Sequence, residues 1–102
     1  MKEFIVEKHH LASQVGSGGK DVLSSPFLLA FMEKTCYDKM IEYGENVGVK
    51  VNMTHLRTSN EGSTVCCKIN NIEKTEKKWI FDVSATTLET VIGICIHTRY
   101  FV

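Results

Sequence analysis

Hydrophobic residues recur along this chain in two rhythms, one helical and one of alternation. The helical rhythm fills Val22 to Tyr43, VLSSPFLLAFMEKTCYDKMIEY. Ser25 offers an N-cap oxygen and Pro26 stands at the first helical position, where a missing N–H costs nothing, so the pattern predicts a sharply started helix. Phe27 to Met32 are apolar on every side and predict a largely buried first half. Gly44 and the pair Glu45-Asn46 end the helix. Glu33 does not fit such a surface. At helical spacing its neighbours are Leu29, Ala30, Cys36, Tyr37 and Met40, whereas Lys34, Asp38 and Glu42 take the opposite face. A carboxylate among apolar groups needs a hydrogen-bond partner, a wet pocket or protonation.

Alternation predicts five strands. Lys2 to Lys8 sets Phe4 and Val6 against charged neighbours. Val47 to Thr58 puts Val47, Val49, Val51, Met53, His55 and Arg57 on one face, expected inward, and Gly48, Lys50, Asn52 and Thr54 on the other. Asn60-Glu61-Gly62 makes a turn into Thr64 to Ile72, with Val65, Cys67 and Ile69 inward. The polar stretch Glu73 to Lys78 then leads to Trp79, Phe81, Val83 and Ala85, a plausible hairpin partner. After Thr87-Leu88-Glu89, the last strand, Val91 to Val102, alternates Ile92, Ile94, Ile96, Thr98 and Tyr100 with Gly93, Cys95, His97 and Arg99. From the residues alone, His97 and Arg99 either meet the phosphates of a ligand or form an exposed polar stripe, with the stripe slightly favoured. One early strand, one long helix and four consecutive antiparallel strands define a single α+β domain, residues 1–102, in which a curled five-stranded sheet wraps a helix. Five strands cover that helix only partly, so the free edge and the residual apolar surface predict pairing with a second copy about a two-fold axis.

Composition narrows the function. Twelve basic and twelve acidic residues cancel, without a basic patch, which excludes an electrostatic footprint for nucleic acid. Cys36, Cys66, Cys67 and Cys95 form no C-x-x-C pair, so neither a zinc site nor a disulfide framework is expected, and reduced thiols fit the cytoplasm. No leader pattern and no apolar segment of membrane-spanning length is found. His9 and His10, if on a strand, face opposite ways and cannot share a metal. Gly16-Ser17-Gly18-Gly19 reads as a flexible connection, since the glycine spacing and Asp21 after Lys20 do not make a phosphate-binding loop.

The order of motifs resembles the hotdog-fold thioesterases, in particular the family of fluoroacetyl-CoA thioesterase. Gly16-Ser17-Gly18, the helix start Val22-Leu23-Ser24-Ser25-Pro26, Met32-Glu33, and the glycine-containing strand from Val47-Gly48 to His55 carry the likeness. Gly62, the strand around Phe81, and Ile92-Gly93 followed by His97-Thr98-Arg99 complete it. The resemblance implies a hotdog fold and hydrolysis of an acyl-CoA or acyl-carrier thioester by a homodimer or dimer of dimers, without metal or cofactor. It further implies catalytic positions at Ser25, Glu33 and His55, and substrate-binding positions at Gly48, Pro26, His97 and Arg99. In this family the sites lie at the subunit interface.

Those residue types suit the reaction. A thioester carbonyl needs an attacking oxygen, a group that handles a proton, and donors for the charge that develops on oxygen. Glu33 can act as base or attack the carbonyl itself, Ser25 can position substrate or water, and His55 can shuttle a proton. Taken singly, Ser25 reads first as an N-cap and His55 as a core histidine with a satisfied ring; only the constellation shifts the balance. A non-catalytic acyl-CoA or small-metabolite binding protein of the same fold is the alternative. Ser25 stands where the family has threonine, and Leu56-Arg57-Thr58-Ser59-Asn60 makes a bulkier, more charged rim, so fluoroacetyl specificity does not carry over.

Overall fold

The computed structural model describes all residues, Met1–Val102. The two most regular alternating stretches, Thr64–Lys74 and Lys78–Thr87, pair antiparallel at the middle of a five-stranded sheet. Numbered in chain order, the strands are β1 (Lys2–Ile5), β2 (Asn46–His55), β3 (Thr64–Lys74), β4 (Lys78–Thr87) and β5 (Thr90–Phe101), and they lie in the order β1-β3-β4-β5-β2. Val65, Cys67, Trp79, Phe81, Val83 and Ala85 all point inward and are buried, as their alternation predicts. They meet the main helix, α2 (Ser25–Met40), through Leu28, Phe31, Met32, Cys36 and Met40. That spacing of three and four residues keeps one stripe on the sheet, and each large side chain buried there contributes about 1.5–3 kcal/mol.

The helix is not buried all round. Ala30 is exposed, Phe27, Leu29 and Glu33 are half-buried, and Pro26, Leu29, Ala30 and Glu33 form a stripe that this chain leaves uncovered. The N-cap also differs from expectation. Ser24, not Ser25, accepts from Phe27 N at 3.3 Å, so Ser25 is the first helical residue and Pro26 the second. Two adjacent serines offered the same chemistry. Backbone bonds Leu23 N to Ser59 O (2.8 Å) and Ser24 N to His10 O (2.9 Å) select the register.

The first strand is shorter than its pattern. After Ile5 the chain turns into a 3-10 helix, Lys8–His10, closed by His10 N donating to Glu7 O and Glu7 N donating to His10 Nδ1, both at 2.9 Å. His9 and His10 therefore do not face opposite ways: their rings lie 4.0 Å apart, with His10 packed on Phe27 and Phe31. The expected loop contains a short helix, α1 (Ala12–Val15), stopped by Gly16 at φ +89.

β2 is an edge strand and carries a bulge between Gly48 and Lys50. The unpaired residue turns Val47 outward, opposite Tyr100, and brings Gly48 inward beside Arg99, while Val51, Met53 and His55 stay inward beside His97, Cys95 and Gly93. Val47, Val49 and Val51 are all exposed. The predicted inward face thus holds for Val51, Met53 and His55 only. In β5 the polar side is the inner one. His97 and Arg99 are buried, and Ile94, Ile96 and Tyr100 face solvent, the reverse of an exposed polar stripe.

Candidate active site

Because Ser24 caps the helix, Ser25 is free to bond elsewhere. Its Oγ lies 2.8 Å from Nδ1 of His55, the last residue of β2. Gly93 makes that approach possible: it pairs with His55, and a Cβ there would lie 2.8 Å from Leu28 Cδ2. Without a side chain at this point, the first turn of α2 settles directly on β5 and β2. The His55 pKa is lowered by burial, so the ring is neutral near pH 7 and can accept a proton. Its Nε2 is buried without a hydrogen-bond partner. A cleft of about 300 Å³, lined in part by Ser17, Ser25, His55 and Arg57, opens over the pair.

Glu33 sits at a second centre. Its Oε2 is 3.8 Å from Arg99 Nη1 and 3.7 Å from His97 Nε2, and its side chain is 40% exposed, so it rims the surface rather than entering the core. Beneath it lies a hydrogen-bonded network. Arg99 donates from Nε to Asn46 Oδ1 at 2.6 Å, from Nη2 to Asn46 O at 3.5 Å and from Nη1 to His97 Nε2 at 3.1 Å. Its guanidinium also packs over the Tyr37 ring, 5.5 Å from the centroid. His97 donates from Nδ1 to Lys50 O at 2.8 Å. Burial lowers the His97 pKa, and a neutral ring is what these partners require. Gly48 closes the cluster, since a Cβ there would lie 2.9 Å from His97, 3.0 Å from Glu33 and 3.1 Å from Arg99.

The two centres bound a trough. Ser25 and Glu33 stand at its ends on the helix, with Leu29 and Ala30 between them. His55 and Gly48 stand at its ends on β2, with Met53 and Val51 between them, all facing inward. Of the expected site residues, Ser25 joins His55, whereas Glu33 joins Gly48, His97 and Arg99, and no hydrogen bond links the two groups. Pro26 is exposed beside Ser25 and helps to shape the helix start. His97 and Arg99 direct their polar atoms to their own chain. Asn46 and Tyr37 were not anticipated. The buried Arg99 was the available signal, since a guanidinium inside a fold demands acceptors and an aromatic face.

One metal-capable group exists: ligand atoms of Glu7, His9 and His10 lie within 4.8 Å of one another. The His10 Nδ1 lone pair is already used by Glu7 N, which leaves Nε2 as that ring's only free ligand atom. All four cysteines are free, and no helix is long and apolar enough to cross a membrane.

Several solved structures share this architecture. A phenylalanine-to-alanine variant of the fluoroacetyl-CoA-specific thioesterase FlK, bound to fluoroacetate and CoA, superposes with a TM-score of 0.87 at 23% identity, covering 97% of this chain and 85% of that one. The hexameric thioesterase y2039 from Yersinia pestis gives 0.85 at 16% identity, covering 99% and 84%. A variant of the phenylacetic acid degradation protein PaaI from Thermus thermophilus gives 0.81 at 14%, covering 98% and 82%. No curated protein matches the chain by sequence. The fold is that of the hotdog thioesterases. Residues 6–102 match the family model of the fluoroacetyl-CoA-specific thioesterase FlK, and the chain belongs to that thioesterase family.

Proposed function

We propose that the protein hydrolyses acyl-CoA thioesters at two equivalent sites, each formed between two copies of the chain. The observation that carries this reading is the 2.8 Å contact of Ser25 Oγ with Nδ1 of a neutral, partly desolvated His55, a nucleophile–base arrangement at a helix N-terminus. An oxygen nucleophile, the Ser25 hydroxyl or a water held by it, attacks the carbonyl carbon and passes its proton to His55. The C–S bond breaks, and the CoA thiolate takes that proton back. Where Ser25 is the nucleophile, a water activated by His55 then attacks the acyl-serine ester, releasing the acid and returning the proton to Ser25 Oγ. Pro26 has no N–H and Ser24 holds those of Phe27 and Leu28, so the Ser25 N–H is the first-turn donor left for the charge that develops on the carbonyl oxygen.

Glu33 acts across the interface. Eight helical residues separate it from Ser25, about 12 Å along the axis, too far for both to reach one carbonyl from one chain. A two-fold partner laid on the uncovered stripe Pro26, Leu29 and Ala30 and the free edge of β2 brings Glu33 of the partner subunit toward Ser25. The outer sheet face, with exposed Val47, Ile94, Ile96 and Tyr100, suits a dimer of dimers. Four free thiols suit a reducing cytoplasm.

The test is release of free thiol from acyl-CoA esters of graded length. Saturable turnover that disappears in Ser25→Ala and His55→Ala supports the reading. Binding without turnover transfers it to a non-catalytic acyl-CoA binding protein, and absence of binding overturns both.

A further inference from the structure

The hydrogen bonds of His97 fix its chemical state. A carbonyl oxygen only accepts, so the 2.8 Å contact with Lys50 O requires the proton on Nδ1. Nε2 is then a lone pair, and it faces Arg99 Nη1, which only donates, at 3.1 Å. The imidazolium form would set two N–H groups and two positive charges against each other, so this histidine cannot serve Glu33 as an acid while Arg99 stays in place. The 3.7 Å approach to Glu33 is therefore not an ion pair; the partner of opposite charge is Arg99. The neighbouring thiols Cys36 and Cys95 are neutral, burial pushing the first up to about 12 and the second upward.

Arg99 has few freedoms left. Asn46 takes its Nε and Nη2 edge, Tyr37 covers its plane, and one Nη1 hydrogen goes to His97. The second Nη1 hydrogen is left for Glu33. Removing the acceptor on His97 would free the guanidinium to rotate away from the carboxylate, and Gly48, with no side chain, leaves it room to move.

We propose that His97 is a positioning residue, which as a neutral Nδ1–H tautomer turns Arg99 toward Glu33 and so fixes the place of the carboxylate in the trough. The proposal rests on Glu33 being a reacting group, and it makes a prediction that separates the two nitrogens of one ring. His97→Asn keeps a donor at the Nδ1 position for Lys50 O but loses the acceptor for Arg99. His97→Gln keeps an acceptor at the Nε2 position.

Steady-state kinetics on the best acyl-CoA substrate would be read beside NMR of the full-length protein. In His97→Asn, kcat falls about tenfold with KM within twofold, the pattern of lost alignment rather than lost binding. In His97→Gln, kcat recovers to within about threefold of the original. The Arg99 guanidinium gives separate, slowly exchanging Nη signals in the original and the Gln variant, and averaged ones in the Asn variant. Equal loss in both variants, or unchanged kcat in the Asn variant, overturns the proposal. Ring 15N shifts of the unmutated protein decide it without any variant: an Nε2–H tautomer or an imidazolium at neutral pH overturns it. If Glu33→Gln turns over normally, the reading of Glu33 fails instead, and the NMR measurements still test how His97 holds Arg99.

Discussion

Ser25 and His55 meet through a single hydrogen bond at a solvent-facing end of the trough, with one ring nitrogen left unpartnered. Glu33 stands at the other end over Arg99, His97 and Asn46, which are buried and hydrogen-bonded to one another and to Lys50 O. The first end is held loosely and can change its protonation state. The second is held rigidly and cannot, because any proton added to His97 meets Arg99. Under the proposed reaction, protons would move at the adaptable pair and charge would be stabilised by the fixed field.

Substitutions at the adaptable end should cost activity and leave stability nearly unchanged. Ser25→Ala and His55→Ala are expected to lower kcat a hundredfold to ten-thousandfold. Mixing Ser25→Ala with Glu33→Gln subunits sharpens the comparison, because a site shared across the two-fold leaves one intact centre per heterodimer. Random co-folding makes half of the dimers hybrid, so roughly a quarter of the original activity should return. No recovery would mean that both groups act within one chain.

At the rigid end, loss of stability comes first. Gly48→Ala pushes a methyl against His97, Glu33 and Arg99, and His97 has no room to yield. A cost of about 1–3 kcal/mol is expected in denaturant unfolding, with activity lowered as the cluster shifts. Ser24→Ala is smaller: loss of the cap costs about 1 kcal/mol while turnover persists, the opposite profile to Ser25→Ala one residue on. Identical behaviour of the two serines would dissolve the distinction between cap and site.

The least effect is one of pH. His10, His55 and His97 all have pKa values lowered from 6.5, so the unfolded chain binds protons more readily than the folded one. Their contribution is complete above 6.5 and is lost as pH falls below it toward the lowered native values. Unfolding free energy should decline between about pH 7 and pH 5, less steeply in His97→Gln.

Much of the fold was legible because β4 alternates from Trp79 to Ala85 and β3 from Val65 to Ile69, each burying one face, so Val65, Cys67, Phe81, Val83 and Ala85 declared themselves. The helix was equally plain, but Ser24 and Ser25 are chemically the same, and only backbone bonds to His10 and Ser59 separate cap from site. In β5 both faces carry reasons to be inside. Ile94 and Ile96 have the hydrophobicity, yet His97 and Arg99 win the interior because Asn46, Lys50 O and Tyr37 wait there from distant segments. Alternation reports that two faces differ, and it is silent on what lies opposite each. Ser25, Glu33 and His55 were all flagged from the sequence, but their division into two centres depends on the helix rise and the strand register together.

The bulge in β2 has a consequence for how this chain can vary. Asn46 and Gly48 are separated from Met53 and His55 by odd intervals, so a regular strand would present one pair and hide the other. The extra residue acts as a phase correction that lets both ends of the trough share a surface. Deleting Val49 would make the interval from Gly48 to His55 even, so a regular strand without the bulge would still present both ends, whereas a one-residue deletion between Lys50 and Thr54 with the bulge kept would throw one end to the far side. Along this strand the residue count and the bulge must change together.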